Sequence, residues 1–256
     1  MDIRLQKKEE QEFLKQYKPQ DYEKPSVTSD ILVFTTEEER LQILLIKRGA
    51  FPYKNYWSLP GGFIKMNEST LEGAERELKE ETGIENVYLE QLYTFSEPER
   101  DPRMRIISVS YIVTVPKNKL LNHKAGDDAK ASQIFDIFID EKGKIQFLGE
   151  DDGLILSEND LAFDHKEIIK LAIERLKGKI NYSPISFEFL NDKNNFTLKE
   201  LYKIFNAINK NKESFSNFRK RIIRIFSEEM KIIKKTQKNE KLNKKGKPSK
   251  YWQLIK

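Results

Sequence analysis

The chain has 256 residues, 38% hydrophobic and 34% charged, enough apolar material for one well-cored domain of roughly 150 residues and a smaller companion. With no cysteine and two histidines, disulfides, thiolate zinc sites and histidine-rich metal sites are excluded. The formal charge of +5 divides unevenly: residues 181–256 hold 19 Lys and Arg against 7 Asp and Glu, net +12, and residues 1–180 hold 27 against 34, net −7.

The N-terminus, MDIRLQKKEEQEFLKQY, lacks the apolar core of a signal peptide. No later run approaches the roughly 18 apolar residues of a membrane span, so the expectation is a soluble, cytoplasmic protein with no membrane partner. Residues 2–17 read as a short amphipathic helix with Ile3, Phe13, Leu14 and Tyr17 as its apolar contacts, covering the domain or a dimer partner. Residues 27–34 and 41–47 are apolar or β-branched runs around a charged turn at 35–40, which predicts a hairpin of sheet strands. An aromatic loop, 51–56, leads to Trp57-Ser58-Leu59-Pro60-Gly61-Gly62, where Pro60 ends regular structure and the glycines allow close backbone approach.

Residues 71–81 contain helix formers and no proline, with Gly83 in a C-cap position. Helical spacing puts Leu71, Ala74 and Leu78 on the core face. Glu77 and Glu81 stand one turn apart on another face with Glu80 beside them, and like charges at that spacing repel. Divalent cations are an economical compensation, because Mg²⁺ takes one or two carboxylates and completes its shell with water and substrate phosphate. Arg76 can orient a carboxylate, and Glu68 can bond back to the first helical turn or to Arg76.

Residues 87–95 and 106–115 are strand-like, and the loop between them, SEPERDPRMR, brings Arg100, Arg103 and Arg105 together as a possible phosphate clamp or as ordinary surface arginines. Trp57, or an aromatic from Phe51, Tyr53 and Tyr56, can stack on a base or pack in the core. Residues 134–139 could form another strand. A helix follows on Ile168, Ile169, Leu171, Ala172, Ile173 and Leu176, with Asp164 placed to cap it and His165 as a structural histidine or, as the lesser alternative, a ligand contact. Residues 178–184 form the boundary, giving an N-terminal helix and connector at 1–25, a main domain at 26–180 and a C-terminal domain at 181–256.

In that last domain Thr197 caps a helix bearing Leu198, Leu201, Ile204 and Phe205. A second helix runs from 215 to about 231, with Phe218, Ile222, Ile225 and Phe226 on one side and Asn217, Arg219, Lys220, Arg221 and Arg224 on the other. Two short strands around a long basic turn complete a winged helix-turn-helix. Double-stranded DNA is the expected partner, with Asn217, Arg219, Lys220 and Arg221 on the second helix and Lys244, Lys245 and Lys247 on the wing as the contacts.

The string Gly62, five residues, Glu68, seven residues, Arg76-Glu77-Leu78, one residue, Glu80-Glu81, one residue, Gly83-Ile84 resembles the Nudix box at every defining position. The resemblance implies an α+β fold, a Nudix mixed-sheet α/β/α sandwich followed by the winged helix, and hydrolysis of a nucleoside diphosphate linked to another group. It implies Mg²⁺, with Mn²⁺ as a substitute, held by Glu77, Glu80, Glu81 and the Gly62 carbonyl, while Arg76 and Glu68 brace loop and helix. For the proton acceptor it leaves Glu80, Glu81, Glu150, Asp151 and Asp164 open.

FLND, FTLKELY, NFRKR, ERDPR and LAFDH also resemble the Nudix-related transcriptional regulators, which implies a homodimer whose DNA affinity responds to ADP-ribose or a related metabolite. Many such regulators have a degenerate box, whereas this chain keeps it intact. The expectation is therefore an Mg²⁺-dependent pyrophosphohydrolase of ADP-ribose or a similar nucleoside diphosphate sugar that also regulates transcription; the alternative is a non-catalytic sensor.

Overall fold

The computed structural model describes residues 3–120, 129–210, 213–239 and 250–255. Helix α1 (Ile3–Gln16) precedes strands β1 (Ser26–Glu37), β2 (Arg40–Arg48), β3 (Trp57–Ser58) and β4 (Gly61–Phe63). Helix α2 (Thr70–Thr82) is followed by β5 (Leu89–Phe95), β6 (Ile106–Thr114), α3 (Lys117–Leu120), β7 (Ala129–Ile139), β8 (Ile145–Gly149), β9 (Ile155–Ser157) and α4 (His165–Lys179).

Strands β1 to β9 form one mixed sheet in which the order β5-β6-β1-β2-β7-β8-β9 is extended by β4 on β1 and β3 on β2; β1 and β6 run parallel. Ile31, Val33, Leu44 and Ile134 face α2 with Ala74 and Leu78, whereas Leu32, Phe34, Ile43, Leu45 and Phe135 face α4 with Ile168, Ile169 and Ala172. Because both faces are covered, the strands read as continuous apolar runs rather than as an alternation. The β1–β2 connection is tighter than the charged turn suggested: pairing continues to Glu37 and Arg40, leaving Glu38 and Glu39 at φ 44° and 63° as a two-residue turn.

Helix α2 is set by its ends. Ser69 and Glu72 exchange hydrogen bonds in a capping box, and Gly83 closes the helix at φ 73° with its N–H on the Lys79 carbonyl. Its buried face is Gly73, Ala74, Leu78 and Thr82. Leu71, expected on that face, is 41% exposed. Gly73 lies against the Ile64 side chain instead, where an added Cβ would stand 2.4 Å from Ile64 Cδ1.

Asp164 occupies the N-cap position of α4, but its side chain makes no cap bond. Both its oxygens are taken by Arg100, because a buried guanidinium requires a counter-charge more than a helix end requires a cap. On α1, Phe13, Leu14 and Tyr17 are exposed, so they do not cover the domain within this chain; Tyr17 stacks on Tyr22 at 5.9 Å between ring centres.

After α4 the chain passes through a 3₁₀ turn, Pro184–Phe189, to β10 (Phe196–Thr197), α5 (Leu198–Asn209), α6 (Phe215–Ile222), β11 (Ile233–Asn239) and β12 (Lys250–Leu254). Thr197 and Glu200 cap α5 reciprocally, as Thr197 led one to expect. Among the described residues the small sheet has three strands in the order β10-β12-β11, one more than the sequence suggested. The expected second helix is α-helical through Ile222 and continues as a π-helical turn, Ile223–Glu229, in which Met230 N–H reaches the Ile225 carbonyl at 2.9 Å. Phe187, Phe196, Phe205, Phe218, Phe226 and Trp252 form its core, continuous with the α4 face of the large sheet.

Candidate active site at the junction of β4 and α2

Two glycines let a strand and a helix converge. Gly61 adopts φ 150°, and a Cβ there would lie 2.1 Å from the Ser29 carbonyl oxygen on β1. Its N–H donates to Glu81 Oε2 at 2.6 Å. A Cβ on Gly62 would fall 2.5–2.8 Å from three atoms of the Glu77 carboxyl group. Ser29 Oγ donates to the Thr70 carbonyl at 3.1 Å, fastening the start of α2 to β1.

Arg76 answers much of the repulsion built into the acidic face. It grips Glu68 with Nε to Oε2 at 3.1 Å and Nη2 to Oε1 at 2.6 Å. Nη1 reaches Glu77 Oε1 at 2.6 Å and Glu80 Oε2 at 3.0 Å, and Nη2 also donates to the Phe63 carbonyl at 3.1 Å. The Arg76 bond, followed by the Lys65 backbone N–H, holds the Glu68 carboxyl well below the usual range, at about 2. The Arg76 guanidinium is stabilised in turn, chiefly by Glu68.

Glu77 and Glu81 line a cavity of about 560 Å³, which Glu80 does not. Among the described residues no group of three or more His, Asp and Glu is arranged to hold a metal ion. The donors nevertheless suit Mg²⁺, which asks for one or two carboxylates and leaves the rest of its shell to water and phosphate: Glu77 and Glu81 supply two, one helical turn apart, each packed on glycine backbone.

The loop arginines separate into three roles. Arg100 is 4% exposed and binds Asp164 bidentately, Nε to Oδ2 at 2.9 Å and Nη2 to Oδ1 at 2.6 Å, with Asp30 Oδ2 at 3.2 Å from Nη2. It lines the cavity floor with its charge already matched. Arg103 also lines the cavity; it pairs with Asp101 at 2.8 Å and lies over the rings of Phe63 and Phe163, 5.5 and 5.8 Å from their centres. Burial pushes the Asp101 carboxyl up, but the Arg103 bonds outweigh it and hold it below its ordinary value. Arg105 points elsewhere, to the Ser96 carbonyl at 2.6 Å.

Trp57 is 4% exposed and packs edge-on to Phe135 at 4.8 Å, so it belongs to the core and not to the cavity wall. Glu150 is engaged by Lys117, outside the cavity. His165 accepts from Leu59 N–H through Nδ1 at 2.9 Å; burial lowers its pKa and keeps the ring neutral.

Sequence reasoning did not single out Arg48, Asp30, Phe63 or Phe163, all on the cavity wall. Arg48 stands 4.9 Å over the Phe163 ring, its pKa lowered by burial and then by Arg103, while it remains a cation at neutral pH. One signal was available: Asp30 interrupts the apolar run of β1, where a charge needs a partner.

On the C-terminal module Ser214 caps α6 by accepting from Asn217 N–H at 3.3 Å. Asn217, Arg219 and Lys220 are exposed. Arg221 is turned inward: it binds Glu213 at 2.8 Å and Asn181 Oδ1 at 3.0 Å and covers the rings of Phe205 and Phe218. Lys244, Lys245 and Lys247 lie outside the described residues.

Comparisons with known proteins fall on the same two parts. The NUDIX domain family matches residues 24–138, and the AraR C-terminal winged HTH domain family matches residues 182–254. The ADPR responsive transcriptional repressor NtrR of Acinetobacter baylyi is 34% identical over 225 residues, covering 87% of this chain and 82% of that protein. An ADP-ribose pyrophosphatase of Methanocaldococcus jannaschii is 38% identical over 149 residues, 58% of this chain and 73% of that one. The crystal structure of a MutT/nudix family protein from Enterococcus faecalis covers 96% of this chain and 93% of its own at 33% identity, with a TM-score of 0.75. The chain belongs to the Nudix superfamily, with a C-terminal winged helix-turn-helix domain, and resembles the ADP-ribose-responsive Nudix-linked regulators.

Proposed function

We propose that the chain is an Mg²⁺-dependent pyrophosphohydrolase of ADP-ribose or a similar nucleoside diphosphate sugar, and that its C-terminal domain binds double-stranded DNA with an affinity set by the same ligand. The observation that carries this reading is the complete box in place: Glu77 and Glu81 packed on Gly62 and Gly61, facing one cavity with Arg48 and Arg103. Glu77 and Glu81 would hold an Mg²⁺, or Mn²⁺ in its stead, which would supply charge neutralisation for a diphosphate and a more acidic water. The chain's own residues supply the rest. Arg48 and Arg103, held over the Phe163 and Phe63 rings, attract the anionic diphosphate, and the exposed part of Phe63 offers apolar surface to the rest of the ligand.

Asn217, Arg219 and Lys220 meet DNA from the exposed side of α6. The relatives' names support both halves, one a pyrophosphatase of ADP-ribose and one a repressor responsive to it. The domain division 1–25, 26–180 and 181–256 and a homodimeric state belong to the same proposal. Incubation with ADP-ribose and Mg²⁺ should release AMP from the wild type and not from Glu81→Gln; equal rates for the two, or no turnover on a panel of nucleotide sugars, would exclude the enzyme.

A second reading, a sensor without turnover, is favoured by one observation: Arg76 holds both Glu77 and Glu80 by Nη1, so the third carboxylate is not presented to the cavity. Fluorescence anisotropy on the protein's own upstream DNA, with and without ADP-ribose, tests it. Ligand-dependent, salt-sensitive binding without AMP release would select the sensor.

A further inference from the structure

The tripeptide Leu59-Pro60-Gly61 is held at both ends by side chains from distant parts of the sequence. At its start Leu59 N–H donates to His165 Nδ1 at 2.9 Å. At its end Gly61 N–H donates to Glu81 Oε2 at 2.6 Å. Pro60 between them has no N–H and a fixed φ, so the segment has little freedom to absorb a shift at one end before it reaches the other. Its carbonyl accepts from Ile31 N–H at 2.8 Å, which fixes the middle to β1.

The imidazole is held as firmly as the segment. His165 is 3% exposed, at the first position of α4, with Phe163 5.5 Å away ring to ring. Since Nδ1 accepts, the proton of the neutral ring is on Nε2, the side facing Asp30 Oδ1 at 3.7 Å. Asp30 is fixed in turn by Ser108 Oγ at 2.5 Å and by Arg100.

We propose that His165 is a positioning residue for the Glu81 carboxylate, acting through the main chain of Leu59-Pro60-Gly61. The inference rests on the reading of Glu81 as a ligand of the divalent ion, and it assigns to α4 a part in the site that the box itself does not contain.

The test compares His165→Leu, which removes the acceptor, with His165→Asn, whose side-chain oxygen stands near the place of Nδ1. Amide hydrogen exchange in the full-length, metal-free protein should be about tenfold faster at Gly61 in H165L and within about threefold of wild type in H165N, with Leu44 in β2 unchanged. Unchanged protection at Gly61 in H165L, or an equal loss at Leu44, would overturn the proposal. Should H165L not fold, H165Q takes its place: its polar atoms reach the Nε2 position and leave Leu59 N–H unpaired, so the same outcomes apply.

Mn²⁺ titration followed by electron paramagnetic resonance supplies the second reading. Affinity should fall about tenfold or more in H165L and be retained in H165N; wild-type affinity in H165L would overturn the proposal. If the wild type bound no Mn²⁺, the metal-site reading would fail on its own, and exchange at Gly61 would still decide the clamp.

Discussion

Replacing Arg100 with Met removes a guanidinium that stands between two carboxylates at the cavity floor. Arg100 donates three hydrogen bonds, at 2.9 and 2.6 Å to Asp164 and 3.2 Å to Asp30, and all three side chains are largely buried. Met matches the aliphatic stem, so packing changes little and the loss is mainly electrostatic. Breaking a buried pair by removing one partner costs about 3–5 kcal/mol, because it leaves a buried charge uncompensated. Asp164 keeps 20% of its side chain exposed and can turn to water, which puts the expectation at the lower end, about 3 kcal/mol. Urea unfolding followed by Trp57 fluorescence, in a Trp252→Phe background, reports this part of the chain. A loss below about 1 kcal/mol would refute the reasoning, since it would mean that the two carboxylates do not depend on Arg100.

The two box glycines separate stability from site geometry. Gly61→Ala forces a Cβ onto backbone at φ 150° and should cripple folding, whereas the nearest atoms that Gly62→Ala meets are those at the movable end of Glu77. Gly62→Ala should therefore cost less than about 1 kcal/mol in a thermal melt while weakening Mn²⁺ binding about tenfold or more by displacing that carboxylate. Glu68, with a carboxyl at about 2, contributes stability that is present above its ordinary value and is lost as pH falls through the folded one. A carboxyl NMR titration should place its midpoint near 2 and show it rising in Arg76→Gln; an unmoved midpoint would sink the clamp. On α6, Arg219→Met should lower the salt slope of DNA binding by about 1 with little change in stability. Arg221→Met should instead cost about 1–2 kcal/mol, read from Trp252, because its ring contacts and bonds to Glu213 and Asn181 are internal.

Among the described residues no helix is long and apolar enough to cross a membrane. Features governed by neighbours a few residues away were legible: α2 and its Gly83 cap, the Thr197 cap, and the β1–β2 hairpin. Features governed by partners far along the chain were not. Arg100, Arg103 and Arg105 are equivalent in a string of letters, yet Arg100 alone of the three pairs with carboxylates 64 and 70 residues away, Asp164 and Asp30, and these partners bury it, whereas Arg103 and Arg105 bond within their own loop region. Trp57 was equally open to a stacking role until β3 placed it beside Phe135.

The sequence alone determined the box, the Gly83 and Thr197 caps, the charge division and the basic winged helix, because each depends on local spacing or composition. Tertiary structure decided that Arg221 serves the core and that His165 meets Leu59 behind Gly61, and of the two bonds that spacing left open to Glu68 it closed the one to Arg76. Those contacts join residues up to 106 positions apart, and the sheet between them determines which side chains meet.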